Sequence, residues 1–170
     1  TLTVNSTGAD GEDDGLRIAN DSTLTNNGKI VVNGVMSISS GGKVEGTGTI
    51  EVGSNGVLVV NKSEGSVGTL ANSVTNKGTF VWNGGENTAP TNAITLSSGG
   101  KVYSQVDISA KLSGSKRTLS DKTYNDTEYA YAWEYYVSSS SGSSSYAVTV
   151  SSAENGKVTV SPNRAAKDAK

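Results

Sequence analysis

LRIANDSTLTNNGKIVVNGV (Leu16–Val35), MSISSGGKVEGTGTIEVGSNGV (Met36–Val57), LVVNKSEGSVGTLANSVTNKGT (Leu58–Thr79) and FVWNGGENTAPTNAITLSSGGK (Phe80–Lys101) can be written one above another, with Val102 opening a fifth line. Columns then appear. Leu16, Met36, Leu58, Phe80 and Val102 share one position, and Ile18, Ile38, Val60 and Trp82 stand two residues on, with Ser104 breaking that series. Further along come Ile30, Ile50, Asn72 and Ile94, then Val32, Val52, Val74 and Leu96. A weaker column holds Leu24, Val44, Ser66 and Thr88, and the glycines Gly34, Gly56, Gly78 and Gly100 recur just before each new line.

Self-similarity at a spacing of this size marks one structural unit per repeat, stacked on its neighbours. Within a line the aliphatic residues come in alternating pairs, Leu16/Ile18 and Ile30/Val32, and alternation sends both members to one face of a strand. Gly, Asn, Ser and Thr separate the pairs and supply the turns. The pattern predicts an all-β chain: a β-solenoid, most simply a right-handed parallel β-helix of about four to five turns, with the columns filling its bore. Two other readings compete. A flexible Gly/Ser/Asn tract would not keep aliphatic residues in register over five lines. An antiparallel meander or sandwich also uses short strands and regular turns. A spacing of fourteen (Leu16, Ile30, Val44, Leu58) fails after Leu58, whereas the longer one continues to Val102.

The 170 residues set a prior of one domain or slightly more. Only 34% of them are hydrophobic, low for a globule but enough for a narrow tube. The net charge is −2 and Lys and Arg are not clustered, so no nucleic-acid partner is expected. Cys and His are absent, which removes thiol nucleophiles, Cys/His zinc centres and His general-base chemistry. No run of eighteen apolar residues occurs, so membrane insertion is not expected. The start at Thr1, without Met or leader, reads as a piece of a longer, multidomain chain.

Outside the repeats, Leu2 and Val4 alternate and suggest a partial first coil or cap. The acidic stretch after them spaces Asp10, Glu12 and Asp14, followed by Asp21, in the outline of a calcium loop with hard oxygens at alternate positions. Arg17 stands where such loops carry an aliphatic residue and no helix flanks the segment, so the competing reading is a solvated acidic loop. Ca²⁺ is the one cofactor candidate. In the repeats, Val59, Val81 and Tyr103 share an outward column with Arg17 and Ser37, and an apolar outward column calls for a cover or a ligand. Asn27, Thr47, Thr69 and Thr91 form a candidate polar ladder at a turn. Residues 102–119 read as a last, irregular coil. The segment 124–137, YNDTEYAYAWEYYV, concentrates aromatic residues. It reads as a cap or strand over the Val59/Val81/Tyr103 face, or as a stacking platform for sugars in which Tyr103, Tyr129, Tyr131, Trp133 and Tyr135 would bind ligand. SSSSGSSS (138–145) has linker composition, and residues 146–160 read as a β-hairpin turning at Asn155-Gly156. The expected domains are therefore 1–119, a β-helix with its N-terminal cap; 120–145, a Tyr-rich cap and linker; and 146–170, the hairpin opening a further domain.

The run from Ser22 to Gly34, STLTNNGKIVVNG, resembles the repeats of adhesin-like parallel β-helices in large bacterial surface proteins, over roughly residues 16–104. Residues 147–162, AVTVSSAENGKVTVSP, resemble the start of a β-rich repeat of secreted proteins of gut Firmicutes. The resemblance implies a secreted or cell-wall-attached modular protein and brings no catalytic residue with it.

These readings converge on a non-catalytic extracellular module, secreted or attached to the cell surface, that serves as a stiff adhesive or structural scaffold. The alternative is a carbohydrate-binding module using exposed aromatic residues, with a host or environmental glycan or surface protein as partner. A lyase or glycosidase would need paired carboxylates or a basic residue beside metal-binding acids. Besides Asp21, the repeats offer only Glu45, Glu51, Glu64 and Glu86, and Arg17 as sole arginine, so no enzyme is expected.

Overall fold

The structure, a computed structural model, describes residues 1–6, 15–63, 66–84, 90–113, 116–117, 122–123, 130–137, 146–147 and 164–165. The chain divides into two units, Thr1–Val137 and Ser138–Lys170.

The first unit is a β-solenoid of about four turns. Its largest parallel sheet stacks Leu2–Val4, Lys29–Val32, Thr49–Val52, Ser73–Asn76, Ile94–Leu96 and Leu112–Ser113. A second parallel stack runs Leu16–Ile18, Val35–Ile38, Val57–Val60, Thr79–Trp82 and Lys101–Ser104. A short third one stacks Thr23–Thr25, Lys43–Glu45 and Thr69–Leu70. The chain visits the three faces in turn, so each coil lies on the one before it. Parallel registers throughout these three stacks dispose of the meander and sandwich readings.

Two columns stand as the sequence predicts. Leu16, Met36, Leu58, Phe80 and Val102 are register partners in succession, and so are Ile18, Ile38, Val60, Trp82 and Ser104. Apart from Leu16, which is half-buried, and Ile18, which is nearly buried, these side chains are sealed inside. The other columns need correction. Ile50 pairs with Val74, not Asn72, and Val52 pairs with Asn76, not Val74. The true columns are Ile30/Ile50/Val74/Ile94 and Val32/Val52/Asn76/Leu96. On the short face Val44 pairs with Leu70, not Ser66; Thr88 lies outside the described residues.

The slip has a visible cause. Leu24 follows Leu16, and Val44 follows Met36, by eight residues, whereas Leu70 follows Leu58 by twelve. The extra length forms a small hairpin in which Lys62–Ser63 pairs antiparallel with Ser66–Val67 and Gly68 N–H closes on Asn61 O at 2.9 Å. The next corner is correspondingly shorter: Val74 follows Leu70 by four residues, where Ile30 follows Leu24 by six. Insertion and deletion nearly cancel, so the line length survives while the internal spacing does not.

The recurring glycines sit where the chain turns from the largest sheet into the second stack. Amides after the turn donate one coil down: Val57 to Gly34 O at 2.8 Å, Thr79 to Gly56 O at 2.9 Å and Lys101 to Gly78 O at 2.8 Å. A Cβ on Gly56 would lie inside the van der Waals envelope of the Val32 carbonyl, so only hydrogen fits beneath the passing backbone.

In the second unit, Tyr146–Ala147 pairs antiparallel with Arg164–Ala165. The register partners are Tyr146↔Ala165 and Ala147↔Arg164; Asn155-Gly156, the expected turn, lies outside the described residues.

Candidate functional site

The aromatic segment adds itself to the last coil. Trp133–Tyr136 pairs antiparallel with Lys101–Ser104, and Lys116–Arg117 pairs with its other side. Alternation divides its side chains. Trp133 and Tyr135 lie opposite Ser104 and Val102, the inward residues, and they pack against the core with their rings stacked 6.0 Å apart at 9°. Tyr135 is 1% exposed. Its hydroxyl donates to Asp107 Oδ1 at 3.0 Å and accepts from Ile108 N–H at 3.1 Å. Burial, chiefly, with the neighbouring Asp107 carboxylate, raises its pKa well above the ordinary phenol range.

Tyr131, also buried, lies over the outward face. Its ring packs on Tyr103 at 5.9 Å and its hydroxyl donates to Asn83 Oδ1 at 2.8 Å. Along that outward column Ser37 and Val81 are buried, Val59 and Tyr103 half-buried and Arg17 exposed. The apolar outward column thus has a cover from within the chain at its Tyr103 end. As placed, Tyr131 and Tyr135 offer no ring face to a sugar. Trp133 has one face taken by Tyr135, Tyr103 is partly open, and Tyr129 lies outside the described residues. Trp82 is inward and 2% exposed, beside Phe80 at 6.4 Å, and its indole N–H has no hydrogen-bond partner among the described residues.

Of the calcium candidates, Asp10, Glu12 and Asp14 lie outside the described residues. Asp21 is exposed, with φ of 59°. It holds the left-handed position of the turn in which Ser22 N–H bonds Ala19 O; one coil up, Gly41 occupies the same place with φ of 75° and Gly42 N–H bonds Ser39 O. A turn requirement accounts for that backbone. No group of three or more acidic, His or Cys side chains that could hold a metal ion occurs among the described residues.

The corners carry most of the buried polar chemistry, and the sequence reading missed nearly all of it. Asn72 is 2% exposed; its Nδ2 donates to Gly46 O and Gly48 O at 3.1 Å and lies 3.4 Å from Asn26 O. Asn76, fully buried, donates to Lys101 O at 2.8 Å and accepts from Gly78 N–H at 3.1 Å. Asn33 donates to Asn5 at 3.0 Å, and Asn83 to Asn61 at 3.1 Å. Among the described residues the expected turn ladder survives as the Thr47 N–H and hydroxyl donating to Asn27 Oδ1 at 3.2 and 3.5 Å, because Thr69 is the partner of Lys43 and not of Thr47. The Asn-x-Gly spacing of Asn26/Gly28 and Asn76/Gly78 was the available signal: in both, the Asn carboxamide oxygen accepts the Gly amide.

On the largest sheet, Glu51 bridges three coils, 2.6 Å from Lys29 and 2.8 Å from Lys77. Hydrogen bonds from Lys29 and Lys77 hold its carboxyl at a pKa of about 2. This arrangement can balance charge along the stack; it contains no second acid to share a proton.

Comparison with known proteins adds no relative: no family model, no curated protein and no solved structure matches the chain.

Proposed function

We propose that this chain is a non-catalytic surface module, secreted or attached to the cell surface, that acts as a stiff scaffold. The observation that supports the reading most is the unbroken parallel register from Leu16 to Val102, with every coil-to-coil step made by main-chain bonds and a filled column. Such a stack holds its two ends at a fixed separation, the property a spacer or adhesive stalk needs. The likeness of its repeats to adhesin-like bacterial surface proteins agrees with this use, and so does a polar wall of Thr, Ser, Asn and Lys.

Stiffness is measurable because the chain has no cysteine of its own. Thr3 and Ser113 lie in the first and last strands of the largest sheet, about 24 Å apart at five strand spacings. Spin labels on the Thr3→Cys/Ser113→Cys protein should give one narrow distance distribution; a broad one overturns the scaffold. A glycan array probed with the protein should stay blank. Binding lost in Tyr103→Ala or Trp133→Ala would replace the scaffold by the carbohydrate-binding reading.

A further inference from the structure

Among the described residues Asn is followed by Gly at 27–28, 33–34, 55–56 and 83–84. Such a pair is chemically weak, because the glycine amide nitrogen can attack the carboxamide carbon Cγ with no Cβ of its own in the way. Three of these pairs are held. Asn27 Oδ1 accepts the Thr47 N–H and hydroxyl at 3.2 and 3.5 Å, and Gly28 N–H donates to Asn26 Oδ1 at 3.1 Å. Asn33 Nδ2 donates to Asn5 at 3.0 Å, and Gly34 N–H donates one coil down to Val4 O at 2.9 Å. Asn83 is 2% exposed, donates to Asn61 at 3.1 Å and accepts the Tyr131 hydroxyl at 2.8 Å.

Asn55 differs, and corner length is the reason. Val35 follows Val32, and Thr79 follows Asn76, by three residues, whereas Val57 follows Val52, and Lys101 follows Leu96, by five. Each longer corner closes on an internal bond, Gly56 N–H to Gly53 O at 2.8 Å and Gly100 N–H to Ser97 O at 2.9 Å. Cross-coil bonds fasten the first of them at its two ends, Gly53 N–H to Val32 O and Val57 N–H to Gly34 O, both at 2.8 Å. Ser54 and Asn55 stand exposed between these ends, and the Asn55 carboxamide makes no hydrogen bond among the described residues. To free the Gly56 nitrogen, only the bond inside the corner has to open, and no step between coils is broken.

We propose that Asn55 is a self-modification site of the folded protein, with water as its only co-reactant. The Gly56 nitrogen loses its proton and bonds to Asn55 Cγ; the Cγ–Nδ2 bond breaks and ammonia leaves, which closes a cyclic imide. Water then adds to one of the two ring carbonyls. Opening at the Asn55 main-chain carbonyl routes the chain through the side chain as isoaspartate, and opening at Cγ gives aspartate. Both products put a carboxylate on the corner, and isoaspartate also lengthens the main chain ahead of Gly56. Gly56 is buried, with the Val32 carbonyl so close beneath it that a Cβ would not fit. The lengthened chain therefore loosens the adjoining step from Val57 N–H to Gly34 O.

The test ages the intact chain in mildly alkaline buffer and maps its tryptic peptides by mass spectrometry against an unaged sample. Cleavage after Lys and Arg puts each pair in its own peptide: Ile18–Lys29, Ile30–Lys43, Val44–Lys62 and Gly78–Lys101. The mass gain of an amide turned into an acid, with an isoaspartate component, should appear in Val44–Lys62 on the order of fivefold faster than in the other three, the factor one retained hydrogen bond confers. In denaturant the four peptides should convert at comparable rates. The Asn55→Gln protein should lose the gain in Val44–Lys62, and after equal ageing it should melt above the natural protein. Equal rates in the folded protein overturn the proposal, as does earlier conversion in any of the other three peptides. A gain in Val44–Lys62 that persists in Asn55→Gln assigns the chemistry to Asn61 and also overturns it. Equal melting of the two aged proteins overturns the link to the coil step.

Discussion

The hydroxyl of Tyr135 donates to Asp107 Oδ1 at 3.0 Å from a ring that is itself sealed against the core. The same oxygen accepts the Ile108 amide, so one phenol ties the added strand to the irregular segment after the last regular coil. Replacing Tyr135 by Phe keeps the ring and strands a buried amide. We expect a loss of about 1–2 kcal/mol in denaturant unfolding. The pH dependence has a definite sign. Burial raises the folded-state pKa above the unfolded value of about 10, so the protonated form is the one folding favours. Its contribution is complete below about pH 10 and disappears as the solution becomes more alkaline than the folded pKa. A phenolate absorbance titration of the protein should show at least one fewer tyrosine ionising near pH 10 than the same titration in denaturant, and Tyr135→Phe should narrow that difference by one.

Asn72 gives a sharper contrast between two roles. Read as a column residue, it should tolerate leucine. Placed at the corner, it reaches the carbonyls of Gly46 and Gly48 through a single Nδ2 and meets Asn26 Nδ2 at 3.5 Å through its oxygen. Asn72→Leu and Asn72→Ala should both cost about 1–3 kcal/mol, because buried carbonyls lose their donors in either case. Asn72→Asp should be at least as damaging, since a carboxylate there would face carbonyl oxygens. Equal stability of the Leu variant and the natural protein would return Asn72 to the bore.

That contrast also shows where the sequence was legible. Hydrophobic alternation is a one-dimensional signal that survives wherever line length is constant, so the Leu16-to-Val102 column and its companion could be placed residue by residue. The other two faces depend on how length is distributed within a line. Between Leu58 and Phe80 a hairpin insertion and a shortened corner nearly offset each other, and no periodic count separates that from an unbroken line. The aromatic segment was legible as a cover or as a stacking platform, with nothing in the sequence to choose between them. Which rings would be inward was not, because it turns on the register Lys101↔Tyr136, a pairing between segments far apart in sequence. Asp21 illustrates a different limit: an acidic residue in an acidic neighbourhood suggests a ligand, while its positive φ, invisible to the sequence, explains it as a turn.

For Asp21, the expected outcome follows from that backbone. A non-glycine residue in the left-handed region is strained by roughly 1 kcal/mol, less for Asp than for most. Asp21→Gly, which copies Gly41 one coil up, relieves that strain but adds unfolded-state entropy, so its stability should stay within about 0.5 kcal/mol of the natural protein. Asp21→Ala should lower it. If Asp21 instead holds calcium, addition of Ca²⁺ should stabilise the natural protein and leave Asp21→Gly unaffected, which thermal unfolding with and without the ion would reveal.

Glu51 sits between two lysines contributed by the coils on either side, its side chain 27% exposed. The hydrogen bond from Lys29, then that from Lys77, holds its carboxyl near pKa 2, below the ordinary 4.5. Because the folded pKa is depressed, the charged form is favoured by folding. The resulting stabilisation is present above about pH 4.5 and is lost as pH falls through about 2. Carboxyl NMR should show Glu51 titrating well below the ordinary glutamate range. Removing Lys29 should move that midpoint upward, and removing both lysines should bring it close to the ordinary range. The partly exposed pair is open to screening, so raising the salt concentration should shift the natural protein's midpoint in the same direction. A midpoint that neither lysine variant moves would mean that the bridge across the three coils does not persist in solution.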